Sequence, residues 1–274
     1  MKIIEQFIEG KTGTLSACED AIFVSDDFAA VIDGATSKSA RKYNNEFPGR
    51  ACAQLIINAL EDLPRKSSSG QAVAYLSGAI LSLYKRLKLV SHLARLPLGR
   101  ASACIAIYSK YRNEIWMVGD CQCLVDKTRY TNRKTIDDLL ANVRSLYIQA
   151  ELAAGRSYSA IQASDPGRKY ILPLLKRQMC FQNSTQKSDF VYGVLDGFMV
   201  PEQEIRVIKL SSPRTIVLAS DGYPKVFASL ARSESYLAKV LKKDPLCYLE
   251  YKSTKGLKKG DSSFDDRAYL KIRV

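Results

Sequence analysis

The sequence predicts an α+β fold in which two antiparallel sheets pack on one another with helices outside them. Three observations lead there. Apolar runs of strand length fall into two groups around a long helical middle, with more strands and helices following. Two of the early strands are joined by only Ser25-Asp26-Asp27, a connection that suits an antiparallel hairpin. The last segment alternates Ala268, Leu270, Ile272 and Val274 with Arg267, Tyr269, Lys271 and Arg273, the pattern of a strand with one buried and one wet face. No linker is polar enough to divide the chain, so one domain over residues 1–274 is expected.

Taken in order, Lys2 to Ile8 reads as an opening strand and Ala21 to Val24 as a second. Phe28-Ala29-Ala30-Val31-Ile32 is an apolar run of strand length buried on both faces, and it stops at Asp33-Gly34, a turn signal. Ala51, Leu55, Ile56, Ala59, Leu60 and Leu63 share one helical face, and Val73 to Val90 repeats at the same spacing after the Ser-rich loop from Pro64 to Gly70. Strands return at Ala101 to Tyr108, Glu114 to Val118 and Cys121 to Val125. Thr135 can cap a helix that Gly155 ends, and Ser164-Asp165-Pro166 starts another, with Ser at the cap and Pro173 expected to kink or restart it. Phe190 to Leu195, Ile205 to Leu210 and Thr215 to Ala219 read as strands, and Ser235 to Lys243 as a helix. Lys252 to Lys259 lies in a long loop-like stretch and reads as solvated.

Composition narrows the function classes. The net charge is +13 and the pI about 9.4, which favours acidic partners such as phosphorylated substrates. A nucleic-acid binder is disfavoured, because aromatic residues do not interleave with Lys and Arg as a stacking platform requires. No apolar run is long enough to span a membrane, and the N-terminus lacks the pattern of a signal peptide. The seven scattered cysteines point to free thiols in a reducing, cytoplasmic setting. Cys121, Trp116 and Met117 read as core residues, and His92 as a partly buried structural histidine.

Acidic residues at strand edges carry the chemistry. Glu19-Asp20 precedes a strand, Asp33-Gly34, Gly119-Asp120 and Asp221-Gly222 follow strands, and Asp265-Asp266 precedes the last one. Each Asp-Gly alone is a turn dipeptide, as Asp196-Gly197 is expected to be. Together they offer hard oxygen ligands of the kind Mg²⁺ and Mn²⁺ take, and a glycine beside a ligand allows close backbone approach.

The ordered set Cys18-Glu19-Asp20-Ala21, Val31-Ile32-Asp33-Gly34-Ala35-Thr36, Val118-Gly119-Asp120, Leu218-Ala219-Ser220-Asp221-Gly222 and Phe264-Asp265-Asp266 resembles the metal-dependent protein phosphatases of the type 2C family, in a divergent, bacterial-type form. The resemblance implies a four-layer αββα sandwich and hydrolysis of phosphoserine and phosphothreonine in protein substrates. It implies two Mg or Mn ions, with Asp33 bridging them, the carbonyl of Gly34 binding one, and Asp221 and Asp265 completing the other. Glu19 and Asp20 would hold waters of the metals, and Asp120 would stand at an outer position similar to the family's third-metal site. Two ions about 3.5–4 Å apart activate water and support in-line displacement at phosphorus without a protein nucleophile.

The sequence departs from the pattern at three places. Leu15 stands where the family has a phosphate-gripping Arg, with Lys11 or another basic residue as the substitute to look for. Ala35-Thr36 follows Asp33-Gly34 where some members have His, and Gly119-Asp120-Cys121-Gln122 replaces a Gly-Asp-Ser-Arg tetrad. These changes leave a second reading open, a phosphatase-like binding or regulatory protein with weak or no turnover. A cysteine phosphatase is the poorer fit, since Cys123 and Arg129 enclose no glycine to turn amides toward a phosphate.

Overall fold

The computed structural model describes residues 1–43, 45–132, 134–211 and 214–274. Its order begins with β1 (Lys2–Glu9), β2 (Ala21–Val24) and β3 (Phe28–Gly34), followed by α1 (Pro48–Glu61), α2 (Ser69–Arg86) and the short α3 (Val90–Arg95). Next come β4 (Ala103–Ser109), β5 (Glu114–Val118), β6 (Gln122–Val125) and β7 (Thr128–Thr131). A helical unit follows, α4 (Thr135–Ala153), α5 (Tyr158–Ser164) and α6 (Pro166–Arg177), and the chain ends with β8 (Arg206–Lys209), β9 (Thr215–Ala219), α7 (Leu230–Lys243) and β10 (Arg267–Arg273).

Among the described residues, ten strands form two five-stranded antiparallel sheets, ordered β1-β10-β9-β6-β7 and β2-β3-β4-β5-β8. Burial explains the layering. On β3, Ala29 and Val31 point between the sheets and meet Ala106, Met117, Leu218 and Leu270. Phe28, Ala30 and Ile32 point the other way, onto Ile56 and Leu60 of α1 and Leu76 and Ile80 of α2. The far face of the other sheet carries Val217 and Tyr269, covered by Leu237 of α7 and by Val226 and Phe264. The result is the helix–sheet–sheet–helix sandwich that the sequence implied.

Local chemistry sets the helix ends. Ser68 caps α2 in a reciprocal box, accepting from the Gln71 amide while the Gln71 side chain accepts from the Ser68 amide. Gly155 terminates α4 with a φ of +88°. The cap of α6 is Asp165 rather than Ser164, because Ser164 closes α5; the Asp165 carboxylate accepts the Arg168 amide at 2.8 Å. Thr135 opens α4 without a side-chain cap. Pro173 lies inside a continuous α6, whose packing of Ile171 and Leu175 against Leu140 of α4 outweighs the lost backbone bond.

Other expectations change in the folded chain. Phe190 to Leu195 is not a regular strand: it makes isolated bridges from Tyr192 to Gln182 and from Leu195 to Ala103, and the Asn183 side chain takes the Val194 amide. β7 was not evident in the sequence, since its hairpin turns through Asp126 at φ 52° without a glycine. β10 is buried on both faces, not one, because it lies between β1 and β9 with α7 over its outer side. Its Arg267 is held there by Glu9 at 2.7 Å and Glu234 at 2.9 Å. His92 is exposed, whereas Cys121, Trp116 and Met117 are core residues as expected.

Candidate metal centre and its cleft

The acidic motifs meet at one end of the two sheets. Asp33 leaves the end of β3, Asp120 follows β5, and Asp221 follows β9. One carboxylate oxygen from each of these three lies within 4.8 Å of the others. The Asp221 amide donates to Asp33 Oδ2 at 3.2 Å, which fixes the two ligands across the sheets. Gly119 is needed for the approach of Asp120: its φ is +80°, and a Cβ there would collide with Cys104. Gly34 is equally constrained, since a Cβ would strike the Glu19 carbonyl oxygen and meet the Gly49 carbonyl oxygen at 2.8 Å.

Glu19 and Asp20, just before β2, are buried beside this trio. Asp20 Oδ2 and Glu19 Oε1 have no hydrogen-bond partner among the described residues. A buried carboxylate oxygen left unpaired is costly, and a hydrated cation offsets that cost. Burial, then Asp20, Asp120 and Asp265, pushes the Asp33 carboxyl well above its ordinary value. Burial, then Asp33, Asp265 and Asp120, does the same to Asp221. Burial and the neighbouring Asp265, Asp266 and Asp221 raise Asp20, against a hydrogen bond from Ser220. Without a cation these carboxyls therefore hold their protons to higher pH than free carboxylates do. The donor set and its repulsion fit a hard divalent ion at Asp33, Asp120 and Asp221.

Asp265 and Asp266 lie alongside but are engaged elsewhere. Asp265 Oδ1 accepts the Asp266 amide at 3.0 Å and Oδ2 pairs with the Lys255 ammonium. Asp266 Oδ1 accepts the Lys11 amide at 2.8 Å, while Oδ2 takes the Lys11 ammonium and the Glu19 amide, each at 3.1 Å. Lys11 is thus committed to Asp266 and does not replace the missing arginine. Leu15 is 57% exposed. Its loop is braced by Arg50, whose guanidinium donates to the Leu15 and Ser16 carbonyls.

Positive charge enters from a different wall. A cleft of about 370 Å³ runs from Asp33, Asp120 and Asp221 past Lys38, Lys134, Arg168 and Lys255. Lys134 pairs with Asp137 at 2.8 Å and lies 4.2 Å from the Tyr192 ring centroid. Burial, then Lys134, draws the Lys38 ammonium down to about 8. Arg168 donates to the Thr254 carbonyl at 2.8 Å. These cations were not singled out by the sequence. They come from four separate segments, and no local pattern marks Lys255, which the sequence placed in a solvated loop. The cysteine route is closed here: Cys123 is fully buried and burial pushes its thiol up to about 12. Asp196, expected as a plain turn, is a buried hub accepting from Arg100, Gln182 and Asn183.

The proton balance predicts a pH effect. Asp20, Asp33 and Asp221 titrate above the ordinary 3.8 in the folded, metal-free chain, so that state binds more protons than the unfolded one. Their stabilising contribution is fully present below about 3.8 and fades as pH rises through the elevated values. In chelator, the melting temperature should fall relative to Mn²⁺-saturated protein as pH climbs from acidic toward neutral, because the ion takes the place of the protons. Thermal melts across pH test this; a Mn²⁺ increment that does not grow with pH would count against it.

No protein-family model and no curated protein matches the sequence. Among solved structures, the serine/threonine phosphatase PstP/Ppp of Mycobacterium tuberculosis is similar at 14% identity, over 99% of this chain and 98% of that one, with a TM-score of 0.46. The serine/threonine phosphatase Stp1 of Staphylococcus aureus gives 12% identity, 100% and 95% coverage and a TM-score of 0.47. RsbX in complex with magnesium gives 12% identity, 98% and 97% coverage and 0.44. At these values the likeness is one of overall shape and says nothing of individual site residues.

Proposed function

We propose that this chain, acting as one domain over residues 1–274, is a hydrolase of phosphate esters that depends on Mg²⁺ or Mn²⁺ and acts on phosphoserine and phosphothreonine in proteins. One observation supports it above the rest. Asp33, Asp120 and Asp221, from three distant parts of the chain, converge within 4.8 Å in a cleft that Lys38, Lys134, Arg168 and Lys255 also line. The order of the acidic motifs and their resemblance to type 2C phosphatases point the same way. The seven cysteines are all unpaired, which suits a reducing cytoplasm.

Asp33, Asp120 and Asp221 would hold the ion, with the Gly34 carbonyl close by and Glu19 and Asp20 orienting water around it. A bound divalent cation supplies Lewis-acid stabilisation of phosphoryl charge and lowers the pKa of water. The chain's own part is to bind and orient. Lys38, Lys134 and Arg168 line the route to the trio and offset the charge of a phosphate monoester. Exposed Leu15 would favour a binding protein without turnover if the cleft lacked other cations; the Lys38, Lys134 and Arg168 wall supplies them. The test is release of phosphate from p-nitrophenyl phosphate and a phosphothreonine peptide. Hydrolysis with Mn²⁺ or Mg²⁺ that stops in chelator is expected, and ion binding without any hydrolysis would shift the reading to the binding role.

A further inference from the structure

We infer that this chain binds a single divalent cation, and that the ammonium of Lys255 occupies the place beside Asp221 and Asp265 where a second ion would sit. The inference rests on the metal-dependent reading above and departs from the two ions implied by the sequence resemblance. Three observations carry it. Among the described residues, the carboxylates that converge within 4.8 Å are Asp33, Asp120 and Asp221, without Asp265. Both oxygens of Asp265 are already bonded, one to the Asp266 amide and one to Lys255. Unpartnered Asp20 Oδ2 and Glu19 Oε1 remain as buried acceptors for the water shell of one ion.

Lys255 is delivered, not draped. Its two preceding carbonyls are fastened from the helical unit: Arg144 Nη1 donates to Ser253 at 3.0 Å and Arg168 Nη1 to Thr254 at 2.8 Å. Arg144 Nη1 also holds the Leu246 and Cys247 carbonyls, and Asp244 accepts the amides of Tyr248, Leu249 and Glu250. The backbone that carries Lys255 therefore cannot move away without breaking these bonds, and the Asp265 ion pair holds the side chain itself. A fixed positive charge against Asp265 and close to Asp221 cancels part of the field that would draw a second dication, and repels that dication at short range.

The experiment counts manganese bound per chain in the native protein, Lys255→Met and Lys255→Arg, by calorimetry and by electron paramagnetic resonance, with phosphate release measured on the same samples. One ion in the native protein and in Lys255→Arg, giving the resolved spectrum of an isolated ion, is expected. Lys255→Met should bind two, with the broadened spectrum of a coupled pair. A thermal melt shows that each variant is folded, and Lys255→Arg keeps the cation if the methionine variant is not. Two ions in the native protein, or one in a folded Lys255→Met, would overturn the inference. Either result leaves the phosphatase reading intact, since that reading fails separately, by absence of metal-dependent phosphate release.

Discussion

Asp221→Asn should lower metal-dependent phosphate release by about 10³-fold, since Lewis-acid stabilisation worth several kcal/mol converts at about 1.4 kcal/mol per tenfold in rate. Asp221 is one of three converging carboxylates, and its amide also anchors Asp33. The amide side chain keeps the shape and the backbone bond but removes a charge. The loss should therefore appear in kcat and in Mn²⁺ affinity together. Its effect on folding should run the other way. Burial and three neighbouring aspartates already work against a charged Asp221, so the metal-free variant should be at least as stable as the parent. Steady-state kinetics against Mn²⁺ concentration and a melt in chelator separate the two effects. Turnover within tenfold of the parent would remove Asp221 from the site.

Arg144→Met should cost about 3–5 kcal/mol of stability, the range for removing one partner of a buried ion pair. The Arg144 side chain is wholly buried. It pairs with Asp165 at 2.9 Å and donates to the carbonyls of Leu246, Cys247 and Ser253. Methionine would fill much of the space but leave Asp165 without its ion-pair partner, holding only the Arg168 amide, and take the guanidinium donor from three carbonyls. Urea unfolding followed by fluorescence reads the change as a lowered midpoint at constant slope. A shift below about 1 kcal/mol, the size of an ordinary surface substitution or weak hydrogen bond, would show that the guanidinium is not a structural bolt.

Much of this was legible in the sequence because it follows from short-range rules. The apolar run of β3 announced a strand buried on both faces, and the Asp-Gly that ends it marked the place where a ligand could stand. Alternation in Arg267 to Val274 gave the strand but not its surroundings. Whether the outer face of β10 is wet depends on α7, whose covering residues lie more than two dozen positions upstream. Position in chain order also hid the engagement of Asp265 and the cationic wall. Lys38, Lys134, Arg168 and Lys255 carry no shared spacing; they become neighbours only through the docking of the helical unit and the loop beyond α7. Leu15 marked the absence of one phosphate-gripping cation, but not where others would be found.

The pairing of β1 with β10 joins Lys2 to Arg273 and Glu9 to Arg267, almost the full span of the chain. β10 also stands between β1 and β9, so that sheet has a gap at its second position until residues 267–273 are available. During synthesis the β2-β3-β4-β5 sheet can form and bury its helices early, while β1 waits unpaired at an edge. Asp33 and Asp120 would be in place long before Asp265 and the segment bearing Lys255. The converging carboxylates are thus brought together late in folding, at a rate limited by the longest loop closure.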